Sequence, residues 1–428
     1  MNFFKQLGDL MMMGARAQAK WEIDTSNRIL QSRKRLFIMA LLFIPIILGG
    51  IVFADDAGKV LPSIIGGKEA YSPAFYSTFI FVVSIFVGLG AGLITGCIGA
   101  GGGFIIAPAL MSAGIKGILA VGTDLFHIFA KAIMGSVIHK KLGNVSVPLA
   151  LVFLIGALIG ATAGGLINRV LYEINPVLSD AFITTVYSLM LGFLGFYSLF
   201  DFIKVWRKGG ATSAHGGKTE GTEMGSLPKT LQSINIPPMV TFDADITPGG
   251  HRISWIFLVI AGAFVGLAAG IMGVGGGFLT FPIFVYVLGV SSMTTVGTDI
   301  FQIIFTAGYG AITQYAIYGF IFYTLAMGML LGSLLGIQIG ALVTKVVSGI
   351  TIRGFYAMSI MAGFVNRIFA LPSKLQSMDL IPLSKGTCLV LNDIGMWLFF
   401  ITVGGFGVWV IGTFLMNLAT LKSGEAHS

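Results

Sequence analysis

Charged side chains make up only 10% of the 428 residues, against roughly 25% in ordinary soluble domains. That shortage excludes a water-soluble globular fold. Cysteine is scarcer still. Cys97 and Cys388 both lie in or beside apolar runs, which leaves no disulfide framework and no metal cluster, and both read as small packing residues. The formal net charge is +8, yet no basic stripe with interleaved aromatics exists, so nucleic acid is not implied as a partner. Neither a nucleophile elbow nor a metal-ligand pair of the H-x-x-x-H kind is present, which counts against an enzyme. No cleavable signal peptide is expected, because about 35 largely polar residues precede the first apolar run.

What the chain has instead is hydrocarbon and glycine. Hydrophobic residues reach 55% and glycines number 60, with a mean hydropathy of +0.91. Apolar runs of about 20 residues, the length that crosses a ~30 Å hydrocarbon core, recur along most of the sequence. Small residues let such helices approach closely. The composition therefore predicts an all-α integral membrane protein, a polytopic bundle of about ten spans, with the lipid bilayer as a partner.

One motif occurs twice. Gly99-Ala100-Gly101-Gly102-Gly103-Phe104 is followed by Pro108 and Gly122-Thr123-Asp124; Gly273-Val274-Gly275-Gly276-Gly277-Phe278 is followed by Pro282 and Gly297-Thr298-Asp299. Offsets of 174 and 175 residues are too long for a solenoid repeat and indicate a duplicated bundle. Gly143, Gly156, Gly160 and Gly164 recur as Gly319, Gly332, Gly336 and Gly340, so whole half-domains are duplicated.

Taken in order, residues 1–35 hold seven basic residues and form a cytoplasmic or interfacial arm. Residues 36–74 hold an extra first span and a loop. Residues 75–203 are the first transmembrane repeat, with spans near 75–98, 118–138, 147–170 and 180–203 and a short apolar piece at 104–114. A polar cytoplasmic linker, 204–252, joins it to the second repeat at 253–371. Residues 372–428 supply a loop, a last span near 395–419 and a tail. If both short pieces cross, each repeat has five crossings and the two are inverted, with broken helices. The cations of His139-Lys140-Lys141, the linker ends, Lys345 and Arg353 then fall on the side of a cytoplasmic N-terminus, as the positive-inside rule requires. Arg169, Arg367 and Lys374 are exceptions. Short pieces that re-enter would instead place Lys140, Lys141 and the linker outside.

Broken helices in matching halves point to a midplane site of a secondary transporter. Glycines Gly101, Gly102, Gly103, Gly275, Gly276 and Gly277 would offer backbone N–H groups at helix starts that suit an anion. No βαβ context supports a dinucleotide site. Asp124, His127 and Lys131 lie within about 60° on one helix face, at ~100° per residue, and Asp299, Gln302 and Thr306 repeat the stripe. Ionisable groups in an apolar span cost about 2.5–3.5 kcal/mol each, so they pair, face a cavity or carry function. An internal Asp124–Lys131 ion pair, with or without His127, holding the bundle together is the plain structural alternative. In the functional reading His127, Lys131, Gln302 and the hydroxyls of Thr123 and Thr298 bind the anion. Asp124 or Asp299 then takes a coupling proton or sodium ion, both stripes meeting near the pseudo-two-fold axis. Arg367, beside Asn366, is a further anion ligand or a snorkelling residue.

At these residues the chain resembles the sulfite exporter TauE/SafE family of membrane anion transporters. The paired glycine motif with its downstream proline, Val121-Gly122-Thr123, Val296-Gly297-Thr298 and the basic turn near His139 carry the resemblance. It spans roughly residues 75–200 and 253–371 and implies transport of sulfite, sulfonates or related sulfur compounds, often outward, across a prokaryotic cell membrane. Asp124 and Asp299 depart from it, since many members have Ser there. The expectation is a multi-pass transporter of the inner membrane, an exporter of a small sulfur oxyanion, without a cofactor beyond a coupling proton or sodium ion. An anion channel with the same site and an intramembrane enzyme using His127 and Asp124 are the alternatives, and a homo-oligomer stays open.

Overall fold

A computed structural model describes residues 78–98, 102–141, 145–207, 226–243, 250–344 and 346–417. The expected arm, the first span near 36–54, Gly101 and the tail lie outside these residues.

The apolar runs form helices. The first half comprises α1 (Thr78–Ile98), α2 (Gly103–Ser112), α3 (Gly117–Lys141), α4 (Val147–Ile174) and α5 (Pro176–Arg207). A short helix α6 (Ser226–Ser233) and an antiparallel strand pair, β1 (Met239–Phe242) with β2 (His251–Ser254), follow. The second half comprises α7 (Trp255–Met272), α8 (Gly277–Pro282) running on as a wide π turn, Ile283–Leu288, and α9 (Ser292–Tyr309), which ends in π and 3₁₀ turns through Tyr318. It closes with α10 (Tyr323–Val343) and α11 (Gly349–Gln376), and α12 (Lys385–Met416) is extra. Eight of these helices are long and apolar enough to cross a bilayer. At 25 residues α3 has the length as well, but it carries the Asp124–His127–Lys131 stripe. The last span starts ten residues ahead of the expected position, at Lys385.

Polarity is arranged as a membrane demands. Large apolar side chains such as Phe86, Ile159, Phe193, Trp397 and Val408 point outward, while Asp124, His127, Asn168, Asp299, Gln302 and Arg367 are buried. In lipid the outward face needs no polar cover, whereas every polar group needs an internal partner.

The halves interlock reciprocally. An added Cβ on Gly156, Gly160 or Gly164 of α4 would lie 1.9, 2.1 or 2.5 Å from the carbonyls of Val259, Ala263 and Leu267 on α7. On α10, Gly332, Gly336 and Gly340 meet the carbonyls of Ile85, Leu89 and Leu93 on α1 in the same way. Both pairs run parallel, backbone against backbone, because a side chain at these positions would push the helices apart. The fourth helix of each half thus packs on the first helix of the other. Equivalent helices that touch run in opposite directions. On α3 and α9, Gly122, Leu125 and Phe129 meet Tyr315, Gly310 and Gly308; on α5 and α11, Gly192, Gly195 and Phe202 meet Phe364, Met361 and Gly354. This is the geometry of an inverted repeat.

The described parts of the stretch between the halves, 226–243 and 250–254, pack on the bundle. Val240, Phe242 and Ile253 join the core, and Gln232 donates to the Leu288 carbonyl at 2.8 Å. Alternating apolar residues in the strands, buried on one face only, give the linker this grip.

Candidate functional site

The second glycine break is a described, closed turn. Gly273, Gly275 and Gly276 have φ of 78°, 66° and 87°, left-handed values that only glycine adopts without strain. The break ends α7 inside the bundle, which would leave four carbonyls without intrahelical donors. Each has found one. Gly273 N donates to Ala269, Asn168 Nδ2 and the Tyr315 hydroxyl donate to Gly270, Asn168 Nδ2 also reaches Ile271 at 2.9 Å, and the Tyr187 hydroxyl donates to Met272. Asn168 and Tyr187 belong to the first half, so one half caps the break of the other.

The two breaks face each other. A Cβ on Gly103 would stand 3.1 Å from the Cα of Val274, the rings of Phe104 and Phe278 are 6.5 Å apart, and Ile128 packs against both Gly103 and Gly275. Gly277 faces Asp299, whose Oδ2 lies 3.0 Å from where a Cβ would be. Gly102, Gly103, Gly275, Gly276 and Gly277 therefore sit together at the centre, beside the third helices α3 and α9.

Thr123 and Thr298 have a different task from the one expected. Thr123 Oγ1 accepts from the backbone N–H of Phe322, and Thr298 Oγ1 from that of Ser146, each at 3.0 Å. Phe322 and Ser146 are the N-cap residues of α10 and α4. Each threonine thus caps the fourth helix of the opposite half, a structural use of the hydroxyl as acceptor.

The polar stripes differ in how well they are satisfied. On α9, Gln302 Nε2 donates to Asp299 Oδ1 at 3.0 Å and Thr306 donates to Gln302 Oε1 at 2.7 Å. On α3, His127 Nε2 is 3.0 Å from Ser333 Oγ of α10, and Lys131 Nζ donates to Thr95 of α1 at 3.4 Å. Asp124 is fully buried, and neither carboxylate oxygen has a hydrogen-bond partner; His127 Nδ1, 3.7 Å away, has none either. Of the internal ion pair considered from the sequence, the His127–Asp124 contact is present at 3.7 Å, whereas among the described residues Asp124 and Lys131 do not come within ion-pair distance. Seven residues of helix separate the two by ~10 Å along the axis, and the ammonium reaches Thr95 instead. The stripes do not meet: among the described residues no hydrogen bond or ion pair joins them, because the α3 stripe faces α1 and α10.

Arg367 does not snorkel. It is 2% exposed and donates from Nε to Asn366 at 2.7 Å and from Nη2 to Ser112 at 2.8 Å and the Pro108 carbonyl at 3.2 Å. This places it at the C-terminal end of α2, away from the stripes. Arg169 is likewise buried, on Gln314 and over the Tyr318 ring. These two exceptions to the positive-inside pattern are internal ligands, not loop charges.

Both breaks, both Gly-Thr-Asp triplets and both stripes fall within residues 84–366, which match the model of the sulfite exporter TauE/SafE family. The chain belongs to the TauE/SafE family. It is also 24% identical over 265 residues to the probable membrane transporter protein YjnA of Bacillus subtilis (strain 168), covering 60% of this chain and 87% of that protein. A second B. subtilis protein, the probable membrane transporter YunE, is 25% identical over 275 residues, or 62% and 89% of the two chains. No solved structure matches. This TauE/SafE chain is a multi-pass membrane transporter by family, and the match stops before Arg367, Lys374 and α12. Sequence reasoning missed Tyr187, Tyr315 and Asn168; polar residues inside otherwise apolar spans were the signal for them.

Proposed function

We propose that this TauE/SafE transporter is a secondary exporter of a small sulfur oxyanion, sulfite or an organosulfonate, across the cell membrane. The observation that carries the reading is the buried, unpartnered carboxylate of Asp124 facing an unpartnered nitrogen of His127, beside two opposed helix breaks. Orphaned buried polar groups are rare and call for an explanation, and in a membrane core an ionisable pair of this kind marks an ion path. Asp124 and His127 are suited to exchange a proton. Asp299, already held by Gln302, is the second coupling candidate. Lys131 supplies positive charge toward an anion and His127 a ring N–H, and opposed breaks between matching halves are where alternating access operates. The N-terminus is assigned to the cytoplasm. Export of a dianion from a negative-inside cell is then driven by voltage, at about 2.3 kcal/mol per charge per 100 mV.

The test is flux in proteoliposomes with a panel of sulfite, sulfate, taurine and alkanesulfonates, with pH and sodium varied separately. Saturable movement of a sulfur oxyanion against its gradient, altered by a pH gradient, is expected. Flux that only dissipates gradients identifies a channel, and absence of movement for every anion rejects the reading.

A further inference from the structure

The pseudo-two-fold that relates the halves also relates the two ends of the bundle, and the chain has made those ends unequal. In the first half α2 stops at Gly114 (φ 90°), and the next helix is capped by Asp180, whose Oδ1 accepts from Gly117 N at 2.7 Å. In the second half the chain stops at Gly289 (φ 75°), and the next helix is capped by Asp243, whose Oδ2 accepts from Ser291 N at 2.7 Å. Asp243 comes from the inter-half segment, which also bonds Leu288 and covers that end. Among the described residues nothing equivalent covers the end near Gly114. There a cavity of about 180 Å³ opens between α2, α5, α11 and α12, lined among others by Ser112, Asp180, Arg367, Ser373, Lys374 and Asn392.

The charges lining this cavity do not balance. Asp180 is used on both oxygens, by Gly117 N at 2.7 Å and by Lys374 Nζ at 3.1 Å. Arg367 is buried, and its bonded nitrogens go to neutral acceptors. Among the described residues Nη1 makes no hydrogen bond, and no carboxylate lies within ion-pair distance of the guanidinium. The single carboxylate of the cavity, Asp180, is thus shared by two cations and bonded to one of them. An under-compensated buried charge is costly, and a planar guanidinium edge with a nearby ammonium and amide suits a tetrahedral or pyramidal oxyanion. We infer that the Arg367–Lys374 cavity is a second anion site, a vestibule at one end of the bundle that binds a sulfonate- or sulfite-like oxyanion before or after the midplane. The inference deepens the anion-transport reading and rests on it. With the N-terminus inside, this is the extracytoplasmic end, so one face of the transporter binds anion and the other is covered by the linker.

Ser373→Cys places a thiol on the cavity wall of the full-length protein, while Cys97 and Cys388 are buried. N-ethylmaleimide modification is timed in detergent with methanesulfonate, against chloride at equal ionic strength. Slowing by about threefold at saturating methanesulfonate is expected, as bound anion occludes the thiol, and Lys374→Gln added to Ser373→Cys should abolish it. No slowing beyond chloride, or slowing unchanged by Lys374→Gln, overturns the site. So does slowing produced by phosphatidylglycerol relative to phosphatidylcholine nanodiscs without methanesulfonate, which would assign the cavity to a lipid phosphate. Sulfite flux through the wild-type protein is measured in parallel. Flux without protection removes the vestibule and leaves the transporter, whereas protection without flux leaves an anion site and removes transport.

Discussion

At the scale of single residues, the chain separates polar groups that hold the bundle from a carboxylate, Asp124, that accepts no hydrogen bond. Asn168, Tyr187 and Tyr315 donate to carbonyls that the break after Met272 would otherwise strand. Tyr187→Phe should therefore cost about 1–3 kcal/mol, the usual penalty for an orphaned buried acceptor, read as a lowered unfolding midpoint in detergent. Asp124 has no such duty, since both of its oxygens lack partners. Asp124→Asn should leave the unfolding midpoint nearly unchanged, because neither oxygen accepts a hydrogen bond that the amide would lose, while coupled flux falls by about tenfold or more. A loss of stability in step with flux would make Asp124 a structural residue. Gly-Thr-Asp is visible in the sequence. That its threonine caps a distant helix and its aspartate stays free could be read only once Phe322 and Ser146 were placed beside the two hydroxyls.

At the scale of elements, the glycine ladders decide how closely the halves meet. The α4–α7 and α1–α10 pairs leave no space for a Cβ at Gly160 or Gly336, so a side chain must separate the helices and forfeit their dispersion contacts. Gly160→Val and Gly336→Val should each destabilise by about 1–3 kcal/mol or more, the usual cost of overpacking, with aggregation on size-exclusion chromatography. Gly404→Val of α12, where nothing lies within 4 Å of a Cβ, is the matched control and should behave as wild type. The ladder was legible as glycines spaced by four. Its partner was not, because a small-residue stripe does not say which helix it accepts.

At the scale of the whole molecule, the directions in which equivalent helices meet organise the bundle. α3 against α9 and α5 against α11 run antiparallel, and the described part of the linker packs at the Leu288 end of the bundle. With a cytoplasmic N-terminus, single cysteines at Ser377 and Ser233 should label oppositely in intact cells. A membrane-impermeant maleimide should reach the first from outside and the second only after permeabilisation. The reverse pattern would turn the molecule over and move the Arg367 cavity to the cytoplasm.

Composition and period by themselves determined the membrane class, the duplication and the candidate stripes, because hydrocarbon thickness fixes span length and a repeated motif fixes a repeated unit. The tertiary structure alone decided which groups are spent. The sequence leaves Arg367 as an anion ligand or a snorkelling cation, and it is buried at the end of α2; it leaves Lys131 as an anion ligand or a partner of Asp124, and the ammonium reaches Thr95 of α1. Hydrogen-bond satisfaction is settled between elements far apart in sequence, so the difference between a cap and a vacant carboxylate is set by packing that periodicity does not encode.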